Sequence, residues 1–394
     1  MLNQCCHQDV SRRRFLCSTM AAVGFATQCR VANGALAGTV RNTRTISQTP
    51  HLYCGWPTLT RRTNGELIVV WSGGREQHVC PFGRVDMMRS KDNGETWSWP
   101  RTLLDSAIDD RDAGVVETAS GALLVTTFSS LAYDEYHLAA ASDKKPGEKG
   151  AFPKDKLNRW IAAHNRLTPD ERKRELGCWM IRSTDGGMTW SKRYSSIVNS
   201  PHGPIQLSDG RLLYAGVQLW SDDRQVQVCQ SSDDGVSWQH SADIPIRNGD
   251  IGRQYHELHA VEASDGTLIV QIRNHNKNHH RETLQCESTD GGKSWSTPHS
   301  IGVWGLPSFL LRLNDGRLVM SYGYRRPPFG NQARISEDDG KSWGDPITLS
   351  KDGNSGDLGY PSTVQLNDDS LITVWYERMP DSPNAVLRQA HWTV

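Results

Sequence analysis

A tyrosine at Tyr360, a glutamate at Glu257 and arginines at Arg273, Arg325 and Arg326 are the residues of this 394-residue chain whose types combine into one chemistry. A phenol is a poor nucleophile at neutral pH because its pKa is near 10, so Tyr360 needs a neighbouring base, and Glu257 is the candidate. Arg273 with Arg325 or Arg326 would hold a substrate carboxylate in a two-pronged grip that Lys cannot reproduce. Other polar residues near the ends of strand-like runs extend the set: Arg75, Glu76 and His78; Arg111 and Asp112; His202; His256 and His259; Tyr322 and Tyr324; and Glu377. No Gly-rich phosphate loop, Gly-x-Ser-x-Gly or His-Glu-x-x-His occurs. His275, His279 and His280 share a loop, but no Cys or carboxylate joins them at ligand spacing, so neither a metal nor any other cofactor is expected.

These candidates are far apart in sequence, and a repeat has to bring them together. The stretch Ser-x-Asp-x-Gly-x-x-Trp occurs five times, at Ser90–Trp97, Ser183–Trp190, Ser231–Trp238, Ser288–Trp295 and Ser336–Trp343. Its chemistry is that of a tight turn: Asp caps backbone N–H groups, Gly supplies a positive φ, and the Trp ring folds back over the hairpin. Period-two apolar runs at Gly65–Trp71, Gly121–Phe128, Gly210–Val217, Gly266–Arg273, Gly316–Gly323 and Asp369–Tyr376 read as strands.

Units of this size that cannot bury their own faces predict an all-β fold, a six-bladed β-propeller of four-stranded antiparallel blades. The innermost strands then deliver polar residues to one axial mouth. The last unit lacks a box because the chain ends at Val394, so its missing strand is expected from Thr43–Tyr53. One spacing is too long and places an insertion at about 132–177 in the second blade. There Leu157, Trp160, Ile161, His164 and Leu167 recur at helical spacing, and Thr168-Pro169-Asp170-Glu171 is a capping box. A lid beside the axis and a peripheral decoration are equally open readings of it.

Before the repeats, Ser11-Arg12-Arg13-Arg14-Phe15-Leu16, an apolar run to Thr27 and Ala35-Leu36-Ala37 describe an export signal of twin-arginine type over residues 1–37. The expected mature protein, 38–394, is periplasmic or extracellular, with no stable membrane insertion. Residues 1–37 carry four Arg and one Asp, so without them the formal charge goes from 0 to −3, which argues against a nucleic-acid partner. Cys178, Cys229 and Cys286, each ahead of a box, read as small buried hydrophobes, while Cys54 and Cys80 leave a disulfide open.

The fourth unit, Glu257-Leu-His through Gly266 to Arg273, resembles the sialidase (neuraminidase) superfamily, in which a Glu stands before a strand and an Arg at its far end. The sixth, Gly359-Tyr360-Pro-Ser-Thr through Tyr376-Glu377, resembles that superfamily's segment with a nucleophilic Tyr and a later Glu that orients an Arg. Tyr322-Gly-Tyr-Arg325-Arg326 is similar to the place of another arginine of its carboxylate-binding triad. The resemblance implies a glycan substrate ending in an acidic sugar, an exo-glycosidase that retains configuration through Tyr360, and a monomer.

The first unit departs from the superfamily: Tyr53-Cys54-Gly55-Trp56-Pro57 has Gly55 where the first triad arginine is expected, and Val79 stands where its acid/base Asp belongs. The carboxylate grip then rests on two arginines unless Arg75 or Arg111 substitutes, and the general acid is expected to be His78 or Glu76, with Asp112, His256 and Glu377 completing the substrate-binding set. Sialic acid and a uronic acid both remain open as the sugar. A glycosidase or lyase using His78 or His256 without a covalent intermediate, and a propeller that binds carbohydrate without catalysis, are the alternatives.

Overall fold

The computed structural model describes residues 38–277 and 282–394; the export-signal segment and His279 and His280 lie outside them. The described chain is a six-bladed propeller in which every blade is a four-stranded antiparallel sheet. Blade 1 runs Tyr53–Arg61, Leu67–Arg75, Arg84–Ser90 and Arg101–Leu104, and the later blades repeat that order. First strands of neighbouring blades touch around the axis, as Tyr53–Arg61 does with Asp109–Glu117 and with Leu358–Gln365. The apolar runs chosen by periodicity are therefore the second strands, such as Leu67–Arg75 and Leu371–Arg378, rather than the innermost ones. Because the first two strands of a blade are antiparallel, the start of one and the end of the other meet at the same mouth, so residues chosen on either side still converge.

The last blade, Leu358–Gln365, Leu371–Arg378 and Ala385–Thr393, is closed by Thr39–Thr45, which pairs with the C-terminal strand from Thr39–Thr393 to Thr45–Arg388. The closing strand thus begins before the expected Thr43–Tyr53, and Tyr53 instead opens blade 1. Each box is the turn between third and fourth strands and is built alike. In the fourth, the Ser288 hydroxyl donates to Asp290 at 2.8 Å, Gly292 N–H to Ser288 Oγ at 2.9 Å and Ser294 N–H to Asp290 at 3.0 Å. Gly292 sits at φ +85°, where a side chain would be strained. No box residue lines the axial pocket.

The blades bury Val, Ile, Leu and aromatic residues between sheets, Trp71, Trp375 and Trp392 among them. Cys178, Cys229 and Cys286 are buried there, and Cys54 and Cys80 are buried free thiols, that of Cys54 pushed up to about 12 by burial. The insertion lies in blade 2 and carries the helices Lys154–His164 and Pro169–Glu175, the second opened by the Thr168–Glu171 capping box. Among the described residues no helix is long and apolar enough to cross a membrane.

Candidate active site

Three inner strands are bulged at the same point of the repeat, between Gly55 and Thr58, Arg111 and Gly114, and Gly359 and Ser362. At each bulge a non-glycine residue is held at positive φ: Trp56 at 52°, Asp112 at 53° and Tyr360 at 52°. Bulky residues in this region are uncommon and cluster at functional sites, where surrounding structure maintains them. All three line one axial cavity of about 320 Å³, to which every blade contributes. His78 comes from blade 1, Arg111 and Phe128 from blade 2, Arg224 from blade 3, His256, Glu257, Arg273 and His275 from blade 4, Arg325 from blade 5 and Tyr376 from blade 6.

At its centre the Tyr360 hydroxyl donates to Glu257 Oε1 at 2.5 Å, and Arg273 Nη1 donates to the same carboxylate at 2.8 Å and to the Tyr360 oxygen at 3.0 Å. Arg273 Nε donates to His275 Nε2 at 2.7 Å, which fixes the plane of the guanidinium. Burial pushes the Glu257 carboxyl up, but Arg273, His256 and the Tyr360 hydroxyl together hold it well below the usual carboxylate range. Burial, then the Glu257 charge, push the Tyr360 phenol far above 10, with Arg273 opposing. At rest the proton therefore stays on the phenol. It can pass to Glu257 only as bond formation draws charge from the oxygen, with Arg273 placed against the developing phenolate.

Around this centre the cavity is cationic. Among the described residues Arg111, Arg224, Arg273 and Arg325 line it, with Glu257 and Asp112 as the carboxylates. Burial, reinforced by Glu257 and opposed by Arg111, pushes Asp112 up to about 7. The Asp112 Oδ1 is buried without a hydrogen-bond partner among the described residues. The Arg111 guanidinium lies over the Trp56 ring at 4.6 Å, and that of Arg325 lies 5.7 Å from the Tyr360 ring. Such a lining concentrates anionic molecules at the mouth. Among the described residues no cluster of three or more His, Cys, Asp or Glu suits a metal ion.

Eight of the residues chosen from the sequence lie outside the cavity lining: His202, His259, Tyr322 and Tyr324, and four charged residues held by other partners. Arg75 is fully buried behind Trp56, with its two terminal nitrogens on Asp109 at 2.7 and 2.9 Å, so it serves the scaffold rather than a substrate carboxylate. Glu76 accepts from Arg159 at 3.0 Å and Trp160 at 2.9 Å, and its carboxylate is directed at the insertion, away from the cavity. Arg326 stacks on Trp304 at 4.1 Å. Glu377 does orient an arginine, but that arginine is Arg388 at 2.7 Å, inside the blade.

No residue of the insertion lines the cavity. Trp160, Lys156 and Arg159 instead brace Glu76 and Gln77, next to His78, so the insertion supports a cavity loop rather than closing over it. Trp56, Phe128, Arg224 and Asp357 are residues in or beside the site that sequence reasoning passed over, and Trp56 is the one a sequence signal could have found. Gly55-Trp56-Pro57-Thr58 and Gly359-Tyr360-Pro361-Ser362 occupy equivalent places, and aligning the units on that pattern would have revealed it.

A propeller of four-stranded blades with its polar, cationic residues gathered at one axial mouth is the class that fold and site define. The model of the BNR repeat-like domain family matches residues 168–373, over half of the chain, and the chain belongs to that family, within the sialidase propeller superfamily. It is 25% identical to a sialidase of Micromonospora viridifaciens over 43% of this chain and 31% of the relative, and 25% identical to a sialidase of Clostridium perfringens over 41% of this chain and 50% of the relative. The matches thus span about a third to a half of those relatives' length. The crystal structure of a protein of unknown function from Dyadobacter fermentans superposes with a TM-score of 0.72 at 21% identity, covering 91% of this chain and 100% of the other.

Proposed function

We propose that the protein is a sialidase-like exo-glycosidase that removes a terminal acidic sugar, a sialic or uronic acid, from glycans with retention at the anomeric carbon. The observation that carries the reading is the contact of Tyr360 with Glu257 at 2.5 Å beneath Arg273. In this reading the substrate carboxylate lies against Arg273 and Arg325, and Arg111 on the Trp56 face adds a third guanidinium. Tyr360 attacks the anomeric carbon as Glu257 takes its proton, and the neutral phenol avoids the repulsion that a carboxylate nucleophile would meet from an acidic sugar. The cationic lining and the family membership support the substrate class. Export through the segment around Arg12, Arg13 and Arg14 belongs to the same proposal, because extracellular glycans are then the accessible substrate.

The test is to trap the covalent intermediate. A 3-fluorinated sialosyl fluoride, and the 2-fluorinated glucuronosyl fluoride beside it, should label the peptide containing Tyr360, as read by mass spectrometry. An enzyme that turns over the matching aryl glycosides while labelling another residue, or none, refutes the reading.

A further inference from the structure

Displacement of a sugar's aglycone needs a proton for the departing oxygen, and Tyr360 and Glu257 are both engaged in nucleophile activation. On the Trp56 side of the cavity stands a half-exposed histidine with a half-buried carboxylate behind it. His78, on the loop after the second strand of blade 1, lies edge-on to the Trp56 ring at 5.0 Å. Its Nδ1 is 3.0 Å from Asp357 Oδ1 and 2.7 Å from the Tyr53 hydroxyl oxygen. The same Asp357 oxygen accepts the Tyr53 hydroxyl at 2.9 Å and the Tyr376 hydroxyl at 3.1 Å.

Both phenolic protons are thus committed to Asp357, and the proton on the short His78–Asp357 contact is the histidine's own. This fixes the tautomer with Nδ1–H towards Asp357 and leaves Nε2, which makes no hydrogen bond among the described residues, for a molecule in the cavity. The loop is also held from below: Arg75 Nη2 donates to the His78 carbonyl at 2.9 Å, and Glu76 and Gln77 are tied to the insertion.

We propose that His78 is the proton donor and acceptor of this site and that Asp357, which reaches it from the opposite end of the chain, is its positioning residue. The inference rests on Tyr360 and Glu257 being nucleophile and base. In the first step the Nε2–H of protonated His78 gives its proton to the glycosidic oxygen as the bond from that oxygen to the anomeric carbon breaks. The bonding pair leaves on the aglycone, Tyr360 oxygen bonds the anomeric carbon, and its proton goes to Glu257. In the second step neutral His78 takes a proton from water, the water oxygen replaces Tyr360 at the anomeric carbon, and Tyr360 recovers its proton from Glu257.

The groups facing the imidazole are Asp357 and Tyr53 behind it, Arg75 beneath the loop, and Arg111 across Trp56. Burial lowers the pKa of His78, Asp357 opposes that, and Arg111 and then Arg75 lower it further. The protonated donor is therefore present only below the ordinary imidazole range and lost as pH rises through it, which sets an alkaline limb on the acid side of neutrality.

Leaving-group dependence tests the assignment. Wild type, His78→Gln, Asp357→Asn and Asp112→Asn are assayed on phenyl, 4-nitrophenyl and 2,4-dinitrophenyl glycosides of N-acetylneuraminic acid and of glucuronic acid. His78→Gln should lose about 10²–10⁴-fold on the phenyl glycoside, with less than about tenfold loss on the dinitrophenyl one, whose phenolate departs without a proton. It should also lose the alkaline limb, while Asp357→Asn keeps a limb moved to lower pH. Equal losses across the leaving groups for His78→Gln, or the graded pattern appearing in Asp112→Asn instead, overturn the inference and leave the Tyr360 adduct standing. Failure of wild type to turn over either series, with no adduct, overturns the nucleophile and the donor together.

Discussion

Removing the hydroxyl of Tyr360 separates the chemistry from the scaffold. In Tyr360→Phe the ring remains between Trp56, Tyr376 and His202, whose ring centroids lie 6.4, 5.9 and 6.3 Å away. Two hydrogen bonds are lost, to Glu257 and from Arg273, but Glu257 keeps its 2.8 Å pairing with Arg273, so no buried charge is stranded. At about 1 kcal/mol net for each hydrogen bond, the destabilisation is at most ~2 kcal/mol, visible as a drop of several degrees in Tm. The rate effect is of another size. Without the nucleophile, turnover of an aryl glycoside should fall at least ~10³-fold, equivalent to ~4 kcal/mol of barrier. Binding of the free acidic sugar, measured by calorimetry, should persist because Arg273 and Arg325 are unchanged. A variant that retains kcat within tenfold refutes the role of Tyr360. One that loses activity only because it no longer folds, seen as a collapsed Tm, contradicts the packing argument.

Other expectations follow from the same geometry. Arg325→Ala should raise KM for an acidic aryl glycoside at least ~10-fold, whereas Arg326→Ala, whose side chain stacks on Trp304, should stay within about twofold. An equal effect of the two would remove the distinction drawn between them. Asp112 is neutral in the fold up to about pH 7 and ionises near 4 in the unfolded chain, so the folded state binds more protons between these values. Its contribution to stability should fall as pH rises from 4 to 7 and then level, by ~2–4 kcal/mol, and Asp112→Asn should flatten that part of a urea-unfolding series. Trp160→Ala, at a fully buried position that donates to Glu76, should cost ~3–5 kcal/mol and speed amide exchange in the 76–82 loop while leaving the Tyr360–Glu257 pair in place.

The propeller was legible because its signals are local. A Ser, an Asp and a Gly in fixed order make one turn from hydrogen bonds only a few residues apart, as at Ser288, Asp290 and Gly292, and five copies imply blades. The period of the second strands was equally plain, since both their faces are buried between neighbouring blades. Less plain was which strand lies innermost, because the apolar pattern marks burial and not distance from the axis. The closing strand Thr39–Thr45 also escaped accurate placement: it is mostly exposed and lacks a strong alternation.

Residue types alone thus specified the repeat, the helical insertion with its capping box, and a set of candidates rich in Arg, Tyr and carboxylates. Only the folded arrangement divided that set. Arg75, Glu76, Arg326 and Glu377 resemble Arg273, Glu257 and Arg325 in composition and in place along their strands, yet each is claimed by a partner away from the axis, on another strand or in the insertion. Whether a charged side chain reaches the axis or a neighbour depends on which opposite charge lies nearer once the blades close, and on backbone reversals such as the positive φ that directs Trp56, Asp112 and Tyr360 into one cavity. Such choices are made by contacts across hundreds of residues, as between His78 and Asp357, and no short stretch of the chain encodes them.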